Sequence, residues 1–233
     1  MSVSRFLPRI LFPSARCMCC DEPRRISADE VLCASCRAAL DKLRITHLHC
    51  PRCLSFQSAG KQCSFCAQGG MRGIDRAYAP YQYRDEARLL VLRLKFGPFE
   101  EAGLPLARAM VKTISGQSFD YLVPVPLYRL NQRERGFNQA ELLCQMIQCH
   151  RPDLALLNAL EKPNKTKRQS TLSKEDRATN AHQKYRAVAN VRDKWILLVD
   201  DVRTTGATAQ DCARTLLEAG AAGVSLLSAT VAD

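Results

Sequence analysis

Long apolar runs are missing from these 233 residues. No stretch approaches the roughly 18 apolar residues that span a bilayer, and the clearest run, Trp195–Val199, stops at Asp200 and Asp201. A membrane-spanning helix is therefore not expected. Aromatic side chains are scarce, at 6% of the chain, which counts against a surface that holds nucleic acid mainly by stacking bases on rings. The 11 Gly and 11 Pro follow no period and no long heptad run appears, so collagen-like and coiled-coil architectures are excluded. Acidic residues are in deficit, 23 against 34 basic. The first residues, Met1–Pro13, are apolar in part, but Pro8 and Arg9 interrupt them and no small-residue cleavage site follows. A secretory signal is not expected, and a cytoplasmic location is. What remains is ordinary: 46% apolar and 24% charged residues, in a length that suits one or two soluble domains.

Cysteine, by contrast, is abundant and clustered. Nine of the 12 lie between Cys17 and Cys66. Eight form four C-x-x-C pairs: Cys17/Cys20, Cys33/Cys36, Cys50/Cys53 and Cys63/Cys66. Two residues between thiols let both sulfurs reach one tetrahedral ion from a tight turn, and two such knuckles complete a four-thiolate zinc site. In a reducing compartment this pattern reads as metal rather than disulfide. Sequential pairing assigns Cys17, Cys20, Cys33 and Cys36 to one Zn2+ and Cys50, Cys53, Cys63 and Cys66 to a second; an interleaved pairing satisfies the spacing as well. Cys19 is a spare thiol able to replace Cys20. Cys144, Cys149 and Cys212 fall in helix-like segments and read as buried small apolar residues. Eight thiolates and two divalent ions bring the formal +11 to about +7.

Two regions follow from texture. Residues 1–70 are rich in Cys and Arg and too short to bury a sufficient core unaided, so metal is expected to supply folding energy. Ala34–Arg44 reads as a short helix and Gln68-Gly69-Gly70 as a linker. Residues 71–233 alternate strand and helix: a strand or hairpin at Ile74–Tyr83, helices at Glu86–Lys95, Glu101–Ile114, Asn138–Gln148 and Thr208–Ala219, and strands at Tyr121–Val123, Trp195–Val199 and Val224–Val231. That alternation predicts a doubly wound parallel α/β sheet. Lys162–Arg192 holds nine Lys/Arg and two acids, and its first part has no apolar period and reads as a mobile basic loop. Such a surplus suits a polyanion.

The most informative segment is Ile196–Thr208. A buried strand ends in Asp200 and Asp201, and a Thr/Gly loop then opens a helix. Backbone N–H groups at a helix N-terminus favour an anion. Thr204, Thr205 and Thr208 add hydroxyls, Gly206 admits close approach of a phosphate, and Ala207 lies in the same turn. The two carboxylates would repel that phosphate and suit neighbouring hydroxyls, a developing positive charge, or a metal. A phosphate at one end and a diol beside it describe a 5-phosphoribosyl group. A second cluster, Val123–Gln139, runs from a strand into a loop carrying Arg129, Arg133, Arg135 and Gly136. Guanidinium forks bind phosphates in bidentate fashion.

Leu-Val-Asp-Asp-Val-Arg-Thr-Thr-Gly-Ala-Thr resembles the phosphoribosyl pyrophosphate signature of type I phosphoribosyltransferases. The cysteine knuckles, then Leu94-Lys95-Phe96, then V-P-x-P…R-x-R-G-F-N-Q, then D-D-V-x-T-T-G-A-T, are together similar to the ComF family, whose members are linked to competence and DNA uptake. The resemblance covers nearly the whole chain. It implies a type I phosphoribosyltransferase-like parallel-sheet domain (71–233) preceded by a small zinc-binding domain of double-ribbon type (1–70). It further implies that Asp200 and Asp201 contact ribose hydroxyls, that Thr204–Thr208 wrap the 5′-phosphate, and that Arg133 and Arg135, with Mg2+, stabilise departing pyrophosphate. Arg129 and Gly136 belong to the pyrophosphate loop, and Arg168, Gln169 and Arg177 to a flexible loop that closes over the substrate; Leu172 and Asn180 also match the family pattern. Three functions follow as expectations: a phosphoribosyltransferase of unknown acceptor; a non-catalytic phosphoribosyl-pyrophosphate sensor that binds single-stranded DNA; and a scaffold docking a helicase or translocase of the uptake machinery.

Overall fold

The computed structural model describes residues 16–22, 30–57, 63–97, 99–127, 136–163 and 184–232. Its centre is a parallel sheet in which β3 (Tyr121–Pro124) and β8 (Gly223–Val231) flank β7 (Trp195–Arg203). The short β4 (Ala155–Leu156) lies outside β3. Outside β8 run β1 (Ala77–Tyr78) and β2 (Tyr81–Gln82), both parallel to it and in one register, Ala77 opposite Leu226 and Tyr81 opposite Thr230. They are one edge strand interrupted at Ala79-Pro80, where proline has no N–H for the ladder. The segment read as a strand or hairpin is thus a strand.

The β7 core confirms the buried-strand reading, and the strand runs on through both aspartates to Arg203. Successive side chains of a strand point to opposite faces. Leu197 and Val199 accordingly join one core and Ile196 and Leu198 the other. The first core holds α3 (Asp85–Phe96), α4 (Gly103–Thr113) and α5 (Gln139–His150); the second holds α6 (Ala207–Glu218). A register clamp lies at the entry of β7, where Asp120 accepts hydrogen bonds from the Trp195 backbone N–H (2.8 Å) and from Lys194 (3.1 Å). Glu101–Ile114, read as one helix, is a 3-10 turn at Glu100–Ala102 leading into α4.

The cysteine-rich segment joins both cores rather than standing apart. Cys17, Met18, Cys33 and Cys36 pack with the α3–α5 core, and Cys50, Cys53, Leu54 and Cys63 with the α6 core. Between them the chain covers the sheet edge: Ile45 N–H donates to Pro80 O and Gln82 N–H to Leu43 O, blunting an edge that would otherwise template association. Gln68–Gly70, read as a linker, is the turn that ends α2 (Ser64–Ala67), and the next residue, Met71, is buried.

The two halves of that segment repeat one design. After Cys20 and after Cys53 comes a left-handed residue, Asp21 (φ 62°) and Leu54 (φ 62°). Each donates its N–H to the carbonyl of the first cysteine of its knuckle, Cys17 or Cys50. Cys33 and Cys63 then stand at the N-termini of α1 (Ala34–Asp41) and α2. This repeat extends beyond the C-x-x-C spacing that the sequence displays. Cys144 and Cys212 are fully buried, as expected; Cys149, expected to be buried, is exposed, because it lies on the outward side of the last turn of α5.

Candidate functional site

The thiols gather into two quartets, Cys17/Cys20/Cys33/Cys36 and Cys50/Cys53/Cys63/Cys66, with the ligand atoms of each within 4.8 Å of one another. Of the two pairings the spacing allowed, the fold realises the sequential one. Four sulfurs about 2.3 Å from a tetrahedral zinc ion stand roughly 3.8 Å apart. The observed Sγ separations include 3.9 Å for Cys20–Cys33, 3.8 Å for Cys50–Cys66 and 3.6 Å for Cys53–Cys63, so the donor set fits such an ion. Backbone N–H groups of Cys19 and Cys33 point at the Cys17 sulfur, as suits a thiolate. Burial opposes ionisation of Cys33, yet hydrogen bonds with Ser35 and Cys36 draw it down to about 6. Cys19 stands outside the quartet, and burial pushes its thiol up to about 11.

At the carboxyl end of β7 the two aspartates part company. Strand alternation sends them to opposite faces. Asp201 meets Lys95 from the last turn of α3 in a 3.0 Å ion pair, with the two side chains 11% and 23% exposed. Asp200 faces the α6 side, near Tyr185 and Cys212. Burial first, and the charge of Asp201 second, push its carboxyl up to about 7. Lys95 thus pairs with Asp201 alone, while burial and the neighbouring charge favour the protonated form of Asp200.

The following turn is built for exposure. Thr204, Thr205, Ala207 and Thr208 face solvent and Gly206 lies beneath them. Gly206 has φ +78°, and a Cβ there would meet Met71 Sδ at 2.7 Å, so both conformation and packing demand glycine. Thr205 Oγ1 accepts from the Ala207 N–H at 3.3 Å, and α6 starts at once. The stretch that follows Gly70 meets α6 a second time through Gln210, which accepts from the Arg72 N–H at 3.0 Å.

Arg129, Arg133 and Arg135, and Arg168, Gln169, Leu172, Arg177 and Asn180, lie outside the described residues. The flanks of both loops are placed. Asn138 closes the first: its Oδ1 accepts from Ala140 N–H (3.0 Å), capping α5, while its Nδ2 donates to Val125 O (3.1 Å) at the end of β3. Gly136 has φ +81° and open space around it. The second loop springs from an antiparallel pair, β5 (Leu160–Glu161) with β6 (Arg186–Ala187). This ribbon is fastened by Arg186 to Glu161 (2.8 Å) and by Lys184 to Asp211 of α6 (2.9 Å). Part of the basic surplus of 162–192 is therefore neutralised internally.

Sequence reasoning missed four contributors. Lys95 was visible only as part of Leu94-Lys95-Phe96, with no role. Met71 carried no signal. Phe56 and Phe65 were hidden by the low aromatic content, yet together with Ser55, Arg203, Thr204, Thr205 and Ala232 they line a cleft of about 560 Å3 beside the phosphate-type turn. Among the described residues no helix is long and apolar enough to cross a membrane.

No family model matches the chain. Among curated proteins it is 35% identical to "Competence protein ComFC" of Bacillus subtilis (strain 168) over 210 residues, 84% of this chain and 82% of that protein. The chain belongs to the ComF family. This ComF-family chain is also 30% identical to "DNA utilization protein YhgH" of Escherichia coli (strain K12), over 89% of its length and 86% of the relative's. It is 26% identical to "Competence protein F" of Haemophilus influenzae, over 90% and 93%. Solved structures similar to it include the glutamine phosphoribosylpyrophosphate amidotransferase of B. subtilis (TM-score 0.45, 17% identity, 60% of this chain but 30% of that one). Another is the adenine phosphoribosyltransferase of Thermoanaerobacter pseudethanolicus (TM-score 0.35, 16% identity, 57% and 81%). Scores of this size leave the functional reading to the chain's own residues.

Proposed function

We propose that this ComF-family protein binds phosphoribosyl pyrophosphate, with Mg2+, at the carboxyl end of β7 and serves the handling of incoming single-stranded DNA. The carrying observation is the folded form of Asp200–Thr208: unlike carboxyls near the carboxyl end of a strand, a left-handed glycine, and four exposed residues, Thr204, Thr205, Ala207 and Thr208, where a 12-residue helix begins. The Thr204–Thr208 turn presents backbone N–H groups and hydroxyls to the 5′-phosphate. Asp200 and Asp201, one on each side of the strand, orient the ribose hydroxyls, and the ion pair with Lys95 fixes the position of the Asp201 carboxylate. Arg133 and Arg135, with Arg129 and Gly136 in the same loop, receive the pyrophosphate, and Arg168, Gln169 and Arg177 cover it. Bound Mg2+ supplies charge neutralisation for the diphosphate and is held mainly by the ligand and water. Positioning and charge stabilisation of this kind suffice for phosphoribosyl transfer. The thiol quartets hold two Zn2+ as structural centres, which supply folding energy to residues 1–70. The relatives' names, competence and DNA utilization, support the DNA role, with a helicase or translocase as a partner and the cytoplasm as the site of action.

Calorimetric titration with phosphoribosyl pyrophosphate and Mg2+ tests the site. The wild type is expected to bind and Asp200→Ala/Asp201→Ala to bind nothing while keeping its fold; unchanged affinity in the double variant refutes the assignment. Pyrophosphate release across a panel of bases and amines then decides whether transfer occurs. Metal analysis is expected to find about two zinc ions per chain, and none would remove the knuckle reading.

A further inference from the structure

Two residues at the β6 end of the β5/β6 ribbon reach across to the first two turns of α6. Lys184 pairs with Asp211 at 2.9 Å. Tyr185, between Lys184 and β6, is 4% exposed and turns its hydroxyl into polar contact with Thr208 and Cys212. Thr208, Asp211 and Cys212 are spaced three and four residues apart in α6, so they share one face of that helix, and the ribbon lies on it. Lys162, which follows β5, stands over the Tyr185 ring at 5.2 Å from its centre. The ring therefore has contacts on both the ribbon and the helix, and its hydroxyl is brought to the phosphate-type turn from behind. Burial also pushes the ionisation of Tyr185 up, so the hydroxyl keeps the proton it can donate. Thr208 differs in this from Thr205, whose hydroxyl accepts from the Ala207 N–H within the turn. A hydroxyl carries one proton and two lone pairs. With Tyr185 donating to Thr208 Oγ1, the Thr208 proton is left to point outward, on the exposed side of the turn, and each bond of such a chain polarises the next.

We propose that Tyr185 is a positioning residue for the ligand's anion: its hydroxyl donates to Thr208 Oγ1 and thereby commits the Thr208 proton to the 5′-phosphate. The inference rests on the phosphoribosyl reading of the Thr204–Thr208 turn and adds to it a residue from a different element, the ribbon. Tyr185 does not touch the ligand; it acts through Thr208 alone.

The test is a double-variant cycle read by calorimetric titration of the full-length, metal-loaded protein with phosphoribosyl pyrophosphate and Mg2+. Tyr185→Phe keeps the ring beside Lys162 and removes only the hydroxyl; it is expected to lower affinity about fivefold. Thr208→Val removes the donor at nearly constant shape and is expected to lower affinity about tenfold. In the Thr208→Val background Tyr185→Phe is expected to cost nothing further. In a Thr208→Ser background, which keeps a hydroxyl, the fivefold sensitivity is expected to remain. Urea unfolding of each variant corrects the titrations for any change in folded fraction. A role of Tyr185 in folding alone would give the same loss with or without the Thr208 hydroxyl, and that result overturns the proposal. Unchanged affinity in Tyr185→Phe overturns it too. Unchanged affinity in Thr208→Val, beside a loss in Asp200→Ala/Asp201→Ala, keeps the phosphoribosyl reading and overturns the positioning role. Failure of the wild type to bind phosphoribosyl pyrophosphate at all instead overturns the underlying reading of the turn, and the positioning role with it.

Discussion

Asp200 offers the sharpest test of the electrostatics at the end of β7. Burial and the neighbouring charge of Asp201 push its carboxyl up to about 7, against about 3.9 for an aspartate in an unfolded chain. The folded state therefore keeps a proton that the unfolded state has released. Stability from this group is fully present below about pH 4 and is lost as pH rises to about 7. Asp200→Asn keeps the shape and removes the titration. Its gain over the wild type should start near pH 4, grow by about 1.4 kcal/mol per pH unit, and level off above pH 7 at an order of 4 kcal/mol. Between pH 6 and pH 8 the gain should widen by about 1.4 kcal/mol. Urea unfolding of both proteins at those two pH values reads the difference. Carbon-13 NMR of labelled aspartate carboxyls reads its cause: one resonance titrating near neutrality in the wild type and missing from the variant. An equal gain at both pH values, or no aspartate titrating above about pH 5, would refute the reasoning.

The same geometry carries three further expectations. Lys95→Met leaves Asp201 without its cation; urea unfolding should show a loss of about 2 kcal/mol, below the range for a fully buried pair because Lys95 keeps some contact with water, and Lys95→Arg should recover most of it. Gly206→Ala forces a left-handed alanine, costing about 1 kcal/mol, and drives a methyl into Met71; adding Met71→Ala should restore the packing part of the thermal stability but not the conformational part. Cys66→Ser should weaken phosphoribosyl pyrophosphate binding far more than Cys20→Ser, because a Cβ at Gly70 would lie 3.4 Å from Cys66 Cα and the next residue, Met71, supports Gly206; equal losses in titration would show that the second quartet does not brace the turn.

Much of this architecture was legible from local pattern. The β7 core and the helices α3, α5 and α6 lie within a few residues of where apolar period and capping signals put them, because those signals act through neighbours in the chain. The 3-10 start of α4 and the β5/β6 ribbon were not legible: the first is a detail of hydrogen bonding, and the second pairs two-residue strands across a long connection. Cys149 went astray for a related reason, since helix membership does not say which side of the helix meets the core.

For the site, the residues alone determined the types of chemistry: eight thiols in metal-binding pairs, two acids before a Thr/Gly turn, arginines after a strand. Spacing over two to five residues is enough for each, because a knuckle or a strand–turn–helix is made by adjacent backbone. Tertiary structure alone decided which quartets form, that Asp200 and Asp201 face opposite sides of the sheet, that Lys95 neutralises only one of them, and that the second quartet brings Met71 under Gly206 and two phenylalanines beside Thr204. Each of these joins segments far apart in the chain, and such contacts exist only once the burial of two apolar faces has fixed the order of the strands and the helices laid against them.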